Sequence, residues 1–341
     1  MTRSPLPTGQ RPDRAVVSGA TVPARSKENQ SMLANANLES GSSASPPART
    51  RFRPSRWLVP LPGYLLLAIL TLPPFVYGVY LSLVDIDIAI PNRPVSFVGL
   101  ANYYEILFSA AGQNAIFNTL LLSFSSTIAA VVFGMVVAYL IAFFAGRFSG
   151  FVVVFVLIPL SVSPVAVALV FSLMLDPLYG PIPQVIYSLT GSLIAPTSNV
   201  FGARLVIILL QAWQWSPIAV ILLLGGIQSL PREPVEAALI DGASLWQIIR
   251  KVHMPLLRPL IAVTAIFEFI LCSQVFAATQ LLTNGGPGTA TVDLSLFIYK
   301  VGIAESGQVS LAAAGGIVAL IMGLLSAALW LRVTKWEKEI Y

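Results

Sequence analysis

Charge is what this sequence has least of. Of its 341 residues only 10% are Asp, Glu, Lys or Arg, while 56% are hydrophobic. Soluble domains carry about 25% charged residues, so a mean hydropathy of +0.80 excludes an ordinary soluble fold and points to a polytopic membrane protein. A single cysteine, Cys272, excludes a disulfide framework within the chain. With one histidine, His253, beside it, the usual multi-ligand zinc patterns are excluded too. The phosphate-cradling pattern G-x-x-x-x-G-K-[ST] is absent, so the chain is not expected to hydrolyse ATP. No His/Asp cluster, Ser/Lys pair or metal set stands out, and an intramembrane enzyme has nothing to work with. No apolar stretch of about 7–15 residues follows the N-terminus, so a secretory signal peptide is not expected.

What charge there is carries a pattern. The net charge is +5, and nine of the twenty basic residues lie in the first 56 positions. Most of the others flank apolar runs, which is a topology signal rather than a nucleic-acid footprint. Residues 1–55 are rich in Pro, Ser, Ala, Asn and Arg without apolar periodicity. They form a basic tail expected to be disordered and cytoplasmic, because such a segment buries too little to offset chain entropy. Arg49, Arg51, Arg53 and Arg56 would sit against anionic headgroups.

Six apolar runs follow, at 57–83, 118–144, 151–175, 205–227, 260–282 and 311–333. Each is near or above the roughly 20 residues a spanning helix needs. Pro60, Pro62, Pro73 and Pro74 make the first one irregular, with breaks expected. The expected fold is therefore an all-α integral membrane bundle of six helices over 56–341, with both termini on one side. Arg147, Arg232, Arg250, Lys251, Arg258, Arg332, Lys335 and Lys338 mark that side as cytoplasmic; Arg93, Lys300 and Arg204 fall opposite. The outer loops would be 84–117, 176–204 and 283–310, the first with a short interfacial helix through Tyr103 and Phe108.

One cytoplasmic stretch is polar where its flanks are apolar. Residues 229–259 read as two short helices joined at Asp241-Gly242. Pro231 and Pro234 suit a first helical turn, where the missing donors have no intrahelical partner anyway. Val235, Ala238 and Leu239 make an apolar stripe. Gly242 suits a stop in the left-handed region. Ser244 and Gln247 have capping-box spacing, and Pro255 is expected to end the second helix. Such a hairpin offers a partner protein a docking knob.

Glu236-Ala237-Ala238, then Gly242, then Val252-x-Met254-Pro255 resembles the EAA loop of ABC importer permeases. The family pattern ends Ile-x-Leu-Pro, so Val252 and Met254 depart from it conservatively. Thr283-x-Gly285-Gly286-Pro287 resembles the LT-x-GGP segment of the carbohydrate-uptake branch, the maltose/trehalose/glycerol-3-phosphate type. Phe97-Val98-Gly99-Leu100-x-Asn102-Tyr103 and Asn118-Thr119 resemble that branch as well. The resemblance implies an inner-membrane permease of a bacterial importer for a sugar or sugar-like solute, working by alternating access. It further implies a second, non-identical permease, two ATP-binding subunits carrying the ATP and magnesium, and an extracytoplasmic solute-binding protein. It assigns docking of the ATPase subunit to Glu236, Ala237, Ala238, Asp241 and Gly242.

Solute contacts would come from polar groups inside the spans, which are costly there and face the interior or water. The candidates are Glu268, Gln211, Trp213, Gln214 and Trp215, with Gln274 and Gln280. For Glu268 two roles are open, bonding sugar hydroxyls or pairing with another helix. Asn118 and Thr119 read as caps at the start of the second span, His253 as a packing or capping group, and Gly285-Gly286-Pro287-Gly288 as a tight turn. The alternative class is a transporter or channel that needs no ATP; few intramembrane acids speak for a proton relay.

Overall fold

The structure is a computed structural model and describes residues 61–88, 90, 94–192 and 195–333. The basic tail, Arg93, Lys335 and Lys338 lie outside the described residues. Contacts divide the chain into residues 1–65 and 66–341, and all packing below belongs to the second unit.

Helix α1 runs Leu61–Ser82 without a break. The expected irregularity at Pro73 and Pro74 is corrected: both lie inside one continuous helix. Proline is tolerated in apolar spans where neighbouring groups and local adjustment re-satisfy the freed carbonyls; those are Ile69 O and Leu70 O, four residues before the two rings. A two-stranded antiparallel ribbon follows, β1 (Val84–Asp85) against β2 (Ser96–Phe97), which the sequence did not lead us to expect. Helix α2 (Ala101–Phe108) falls where a short helix was expected through Tyr103 and Phe108. Then come α3 (Ala110–Phe144), α4 (Ser149–Val156), α5 (Ile158–Ser161), α6 (Pro164–Met174), α7 (Pro181–Thr190) and α8 (Val200–Ser229). The polar insert holds α9 (Arg232–Ile240) and α10 (Leu245–Ile248). A π turn, Ile249–His253, leads into α11 (Met254–Cys272). Helices α12 (Phe276–Ala278), α13 (Leu294–Tyr299) and α14 (Val309–Val333) complete the described chain.

Among the described residues five helices are long and apolar enough to cross a membrane: Leu61–Ser82, Ala110–Phe144, Val200–Ser229, Leu245–Cys272 and Val309–Trp330. The expected third span, 151–175, is not one straight helix. It bends by 90° between Gly146–Ser161 and Pro164–Met174. Pro164 disfavours helical backbone in the residue before it, and Val162 and Ser163 are both extended, with ψ near 136°.

Two more boundaries differ from expectation. Pro255 does not end the second elbow helix, because the backbone widens ahead of it. Met254 N–H bonds Ile249 O, five residues back, and the helix runs on from Leu245 to Cys272. That wider turn makes room for the proline ring, which would otherwise meet the carbonyl four residues earlier. The expected fifth span, 260–282, ends instead at Cys272, and α12 and the π turn Thr279–Thr283 come after it as separate pieces.

Helices α3, α8 and α11 form the core. At Gly134 of α3 an added Cβ would lie 2.5 Å from Ala219 Cβ, so the two helices meet where side chains are smallest. Leu223, Val220, Ala138 and Leu257 fill one buried cluster at the elbow end, with Ala145, Leu230 and Ile249 against it. At the opposite end Ile106, Leu294, Leu311 and Ala314 form a second cluster.

The family-like motifs hold that second end shut. Asn102 Nδ2 donates to Ser82 O and Val84 O, and the Ser82 and Tyr103 hydroxyls are 2.6 Å apart. Asn118 and Thr119 are not caps: Ser109 caps α3, accepting from Gly112 N–H at 3.1 Å. One turn or more inside α3, Asn118 Nδ2 donates to Thr289 O and Val292 O, and Thr119 Oγ1 accepts from Leu294 N–H. Arg204 of α8 completes the clasp, with Nη2 on Asn118 Oδ1 at 2.9 Å and Nε on Ala290 O at 3.0 Å. The glycine-rich segment is the expected tight turn: Gly285 and Gly288 take φ of +87° and +61°. Asp293 caps α13 and accepts from Thr279 Oγ1 at 2.6 Å; burial pushes its carboxyl pKa up, and these donors oppose that. The three predicted outer loops thus converge on one end of the core and the elbow on the other, as alternate crossings require.

Replacing Asn118 by Leu takes the donor from the Val292 carbonyl and one of two acceptors from the Arg204 guanidinium, while Thr289 O keeps Asn114 and Arg204 keeps Ala290 O. Each buried unsatisfied group costs about 1–3 kcal/mol. The N118L protein should lose several degrees of melting temperature in detergent, whereas Asn114→Leu, at an exposed donor to Thr289 O, should lose little.

Candidate functional site

The polar insert is an elbow of two helical arms. Its entry is a two-residue extended link, Leu230 and Pro231, with ψ of 141° and 137°. Pro231 is the N-cap of α9, and Glu233 in the first turn complements the helix dipole. The far end closes as a Schellman motif: Ala243 N–H bonds Ala238 O at 2.9 Å and Gly242 N–H bonds Leu239 O at 3.1 Å. Gly242 has φ of +74°, as expected of a glycine stop. No atom lies within 4 Å of a Cβ placed on it, so what restricts this position is backbone conformation and not space. The capping box is present, with Gln247 Oε1 accepting from Ser244 N–H at 2.7 Å and Ser244 Oγ accepting from Gln247 N–H at 3.4 Å.

The arms present their side chains outward. Glu236, Ala237, Asp241 and Gly242 are exposed and Ala238 is half-buried. Leu239 was expected in an apolar stripe, yet it is 57% exposed, and its neighbour Ile240 is 86% exposed. Trp246, on the second arm, is 68% exposed. Ile240 and Trp246 are surface anchors that the sequence analysis missed. Their signal was present, since large apolar residues flanking a charged turn outside the spans have no core to enter. Behind the elbow lies a cavity of about 320 Å³ lined by Gln228, Arg232, Val235, Glu236, Phe143 and His253.

The interior candidates separate into groups. Gln211, Gln214 and Glu268 are buried, at 2%, 1% and 0% exposure. Each meets a backbone group, two of them at helix ends and the third inside α8. Gln214 Nε2 points at Val162 O, the extended residue in the bent span, at 3.4 Å. Gln211 Nε2 points at Cys272 O, where α11 stops, at 3.5 Å. Glu268 Oε1 accepts from Ala219 N–H at 3.0 Å, two residues past Pro217 inside α8. Pro217 also displaces the Trp213 carbonyl, which Ser216 Oγ reaches at 3.3 Å. Of the two roles open to Glu268, the geometry gives it the helix-pairing bond through Oε1. Oε2 stays without a partner among the described residues, as do Gln214 Oε1 and Trp215 Nε1.

Trp213 points elsewhere. It stacks on Phe171 at 5.6 Å and lines an apolar groove of about 470 Å³ with Phe133, Leu175 and Ile182. Gln274 is exposed beside the break after Cys272, and Gln280 is half-buried in the π turn with Oε1 unpartnered. Cys272 is a buried free thiol. Among the described residues no three His, Cys, Asp or Glu side chains gather as metal ligands.

Comparison with known proteins bears on these features. A family described as binding-protein-dependent transport system inner membrane component matches residues 130–335. The trehalose/maltose transport system permease protein MalF of Thermococcus litoralis is 30% identical over 251 residues, covering 73% of this chain and 83% of that protein. The trehalose transport system permease protein SugA of Mycobacterium tuberculosis is 27% identical over 266 residues, 76% of this chain and 84% of that one. A chain from the crystal structure of a bacterial ABC transporter involved in the import of the acidic polysaccharide alginate superimposes with a TM-score of 0.64 at 22% identity. That alignment covers 83% of this chain and 99% of the other, and at this identity the likeness is one of fold.

The helix-pairing bond of Glu268 can be tested apart from its charge. Glu268→Gln keeps an acceptor for Ala219 N–H and should retain melting temperature and yield. Glu268→Ala opens a cavity and strands the donor, at a cost of about 2–4 kcal/mol. Equal melting temperatures for E268Q and E268A in purified protein would remove the pairing role.

Proposed function

From the chain's membership of the binding-protein-dependent transport inner membrane component family, we propose that it forms half of the solute path in an ATP-driven sugar importer. The observation that carries the reading is the exposed elbow. A helix closed by a Schellman motif projects from the core with Glu236, Ala237, Asp241 and Gly242 open to a partner and Leu239 and Ile240 bare beside them. Large apolar residues grouped on a charged knob are the chemistry of a protein contact, in which they supply burial and the charges supply register. Because the sequence lacks a phosphate loop, the ATP and magnesium belong to the partner that grips this knob.

The bundle has six membrane crossings in this reading, the bent pair of helices counting as one, with both termini and the elbow in the cytoplasm. Its companion is a second permease. Helix α1 supports this, since Ser82 is its sole buried residue and its apolar surface lies open along nearly its whole length. A solute-binding protein delivers from the outer side; the family's description as binding-protein-dependent transport supports this. Names of relatives such as trehalose/maltose permease suggest the cargo, a sugar, an oligosaccharide or a polyol phosphate of similar size. ATP binding closes the motor subunits, the two elbows follow, and the paired bundles exchange inward-open for outward-open contacts. Differential contacts in the two states drive the exchange. Glu268 Oε2, Gln214 Oε1 and Trp215 Nε1 hold spare hydrogen-bonding capacity toward the path; Gln211, Trp213, Gln274 and Gln280 are the further candidates.

Gly242→Pro tests the reading. Proline cannot take φ of +74° and has no N–H for Leu239 O, so the closing turn is lost while the spans are untouched. The assembled variant should hydrolyse ATP without moving trehalose or maltose in proteoliposomes, or should lose its ATPase subunits on purification. Uptake at the parental rate in G242P would overturn the docking assignment.

A further inference from the structure

Helix α3 has no covalent link to the elbow, which interrupts the chain between α8 and α11. Any motion of the elbow therefore reaches α3 through packing alone. At the elbow end one contact is unlike the rest. The His253 ring lies nearly parallel to the Tyr139 ring of α3, with centroids 5.9 Å apart and planes 6° apart. It lies equally flat against Phe143, at 6.1 Å and 12°. Tyr139 and Phe143, one turn apart on α3, stack on each other at 5.9 Å and 11°. His253 is 4% exposed.

The π turn brings the imidazole there. His253 ends the turn Ile249–His253, whose extra residue rotates α11 by about 100° relative to an unbroken helix. His253 lines the same cavity as Val235 and Glu236 of α9. One flat side chain thus stands between the first arm of the elbow, the rod formed by the second arm and α11, and the end of α3.

We infer that His253 is a positioning residue that pins α3 to the elbow, so that the two move as one body when the elbow is displaced. The inference rests on the docking reading for the source of the displacement, but the pin itself is a property of this chain. The stacking faces carry the contact, so a flat apolar ring should serve. His253→Phe should keep the pin and His253→Ala should lose it. Loss of both stacks shifts the ratio of pinned to free α3 by roughly tenfold.

The test is a distance measurement in the complete complex, purified with its partner subunits and held in lipid nanodiscs. Nitroxides are placed at Glu233 on α9 and Phe144 at the end of α3, both exposed, in a Cys272→Ser background. Pulsed electron spin resonance then gives the distance between them without nucleotide and with ATP and vanadate. The expected result is one narrow distance in both states for the parent and for H253F, and a second, displaced population for H253A. A parental distance that changes with nucleotide overturns the pin, and so does an H253A distribution identical to the parent's. If no ATPase subunit accompanies the chain, the docking reading fails, and the nucleotide-free comparison still decides the pin.

Discussion

A backbone group inside a bilayer has to find its partner within the protein, because no water is there to take it. Most of this structure follows from how that demand is met wherever a helix is interrupted. The bend at Val162 releases a carbonyl that Gln214 approaches, the stop of α11 at Cys272 releases one that Gln211 approaches, and close to Pro217 the Ala219 N–H donates to Glu268. Three side chains that look out of place in apolar runs are what make those interruptions tolerable. Glu268 Oε2 and Gln214 Oε1 are left without a partner among the described residues.

The two ends of the core are built differently, in keeping with two different tasks. The end away from the elbow is laced by directional bonds: Asn118, Thr119 and Arg204 hold the 289–294 loop, and Asn102 and Tyr103 hold the end of α1. The elbow end is joined by apolar packing and by the ring cluster of His253, Tyr139 and Phe143. Such a division suits a machine pushed from one side. The elbow's second arm continues into α11 as far as Cys272, where Gln211 meets the end of the helix.

Much of this was legible from local sequence. Five of the six apolar runs correspond to spanning helices or large parts of them, and Asp241-Gly242 and Ser244-x-x-Gln247 fixed the elbow because their chemistry is complete within a few residues. The errors are of another kind. Pro73, Pro74 and Pro255 read as breaks because proline forbids one hydrogen bond, but the first two sit inside a continuous helix and at Pro255 a π turn absorbs the defect. Asn118 and Thr119 read as caps because their partners, residues 289–294, are distant in sequence. The same distance hid Arg204, whose cation reads as topology until the loop that it holds is in view. Identifying Glu268 as special needed only its charge in an apolar run; saying which helix it serves needed the fold.

The central claim is that the elbow is where an ATP-binding subunit grips this chain. The most direct measurement is a photo-crosslink from Ile240, replaced by p-benzoylphenylalanine, in native membranes. Attachment to an ATP-binding protein, lost when Gly242 is replaced by Pro in the same chain, is the predicted result. Attachment to lipid alone, with no ATP-binding protein at any position along Glu236, Leu239 and Ile240, would contradict the account.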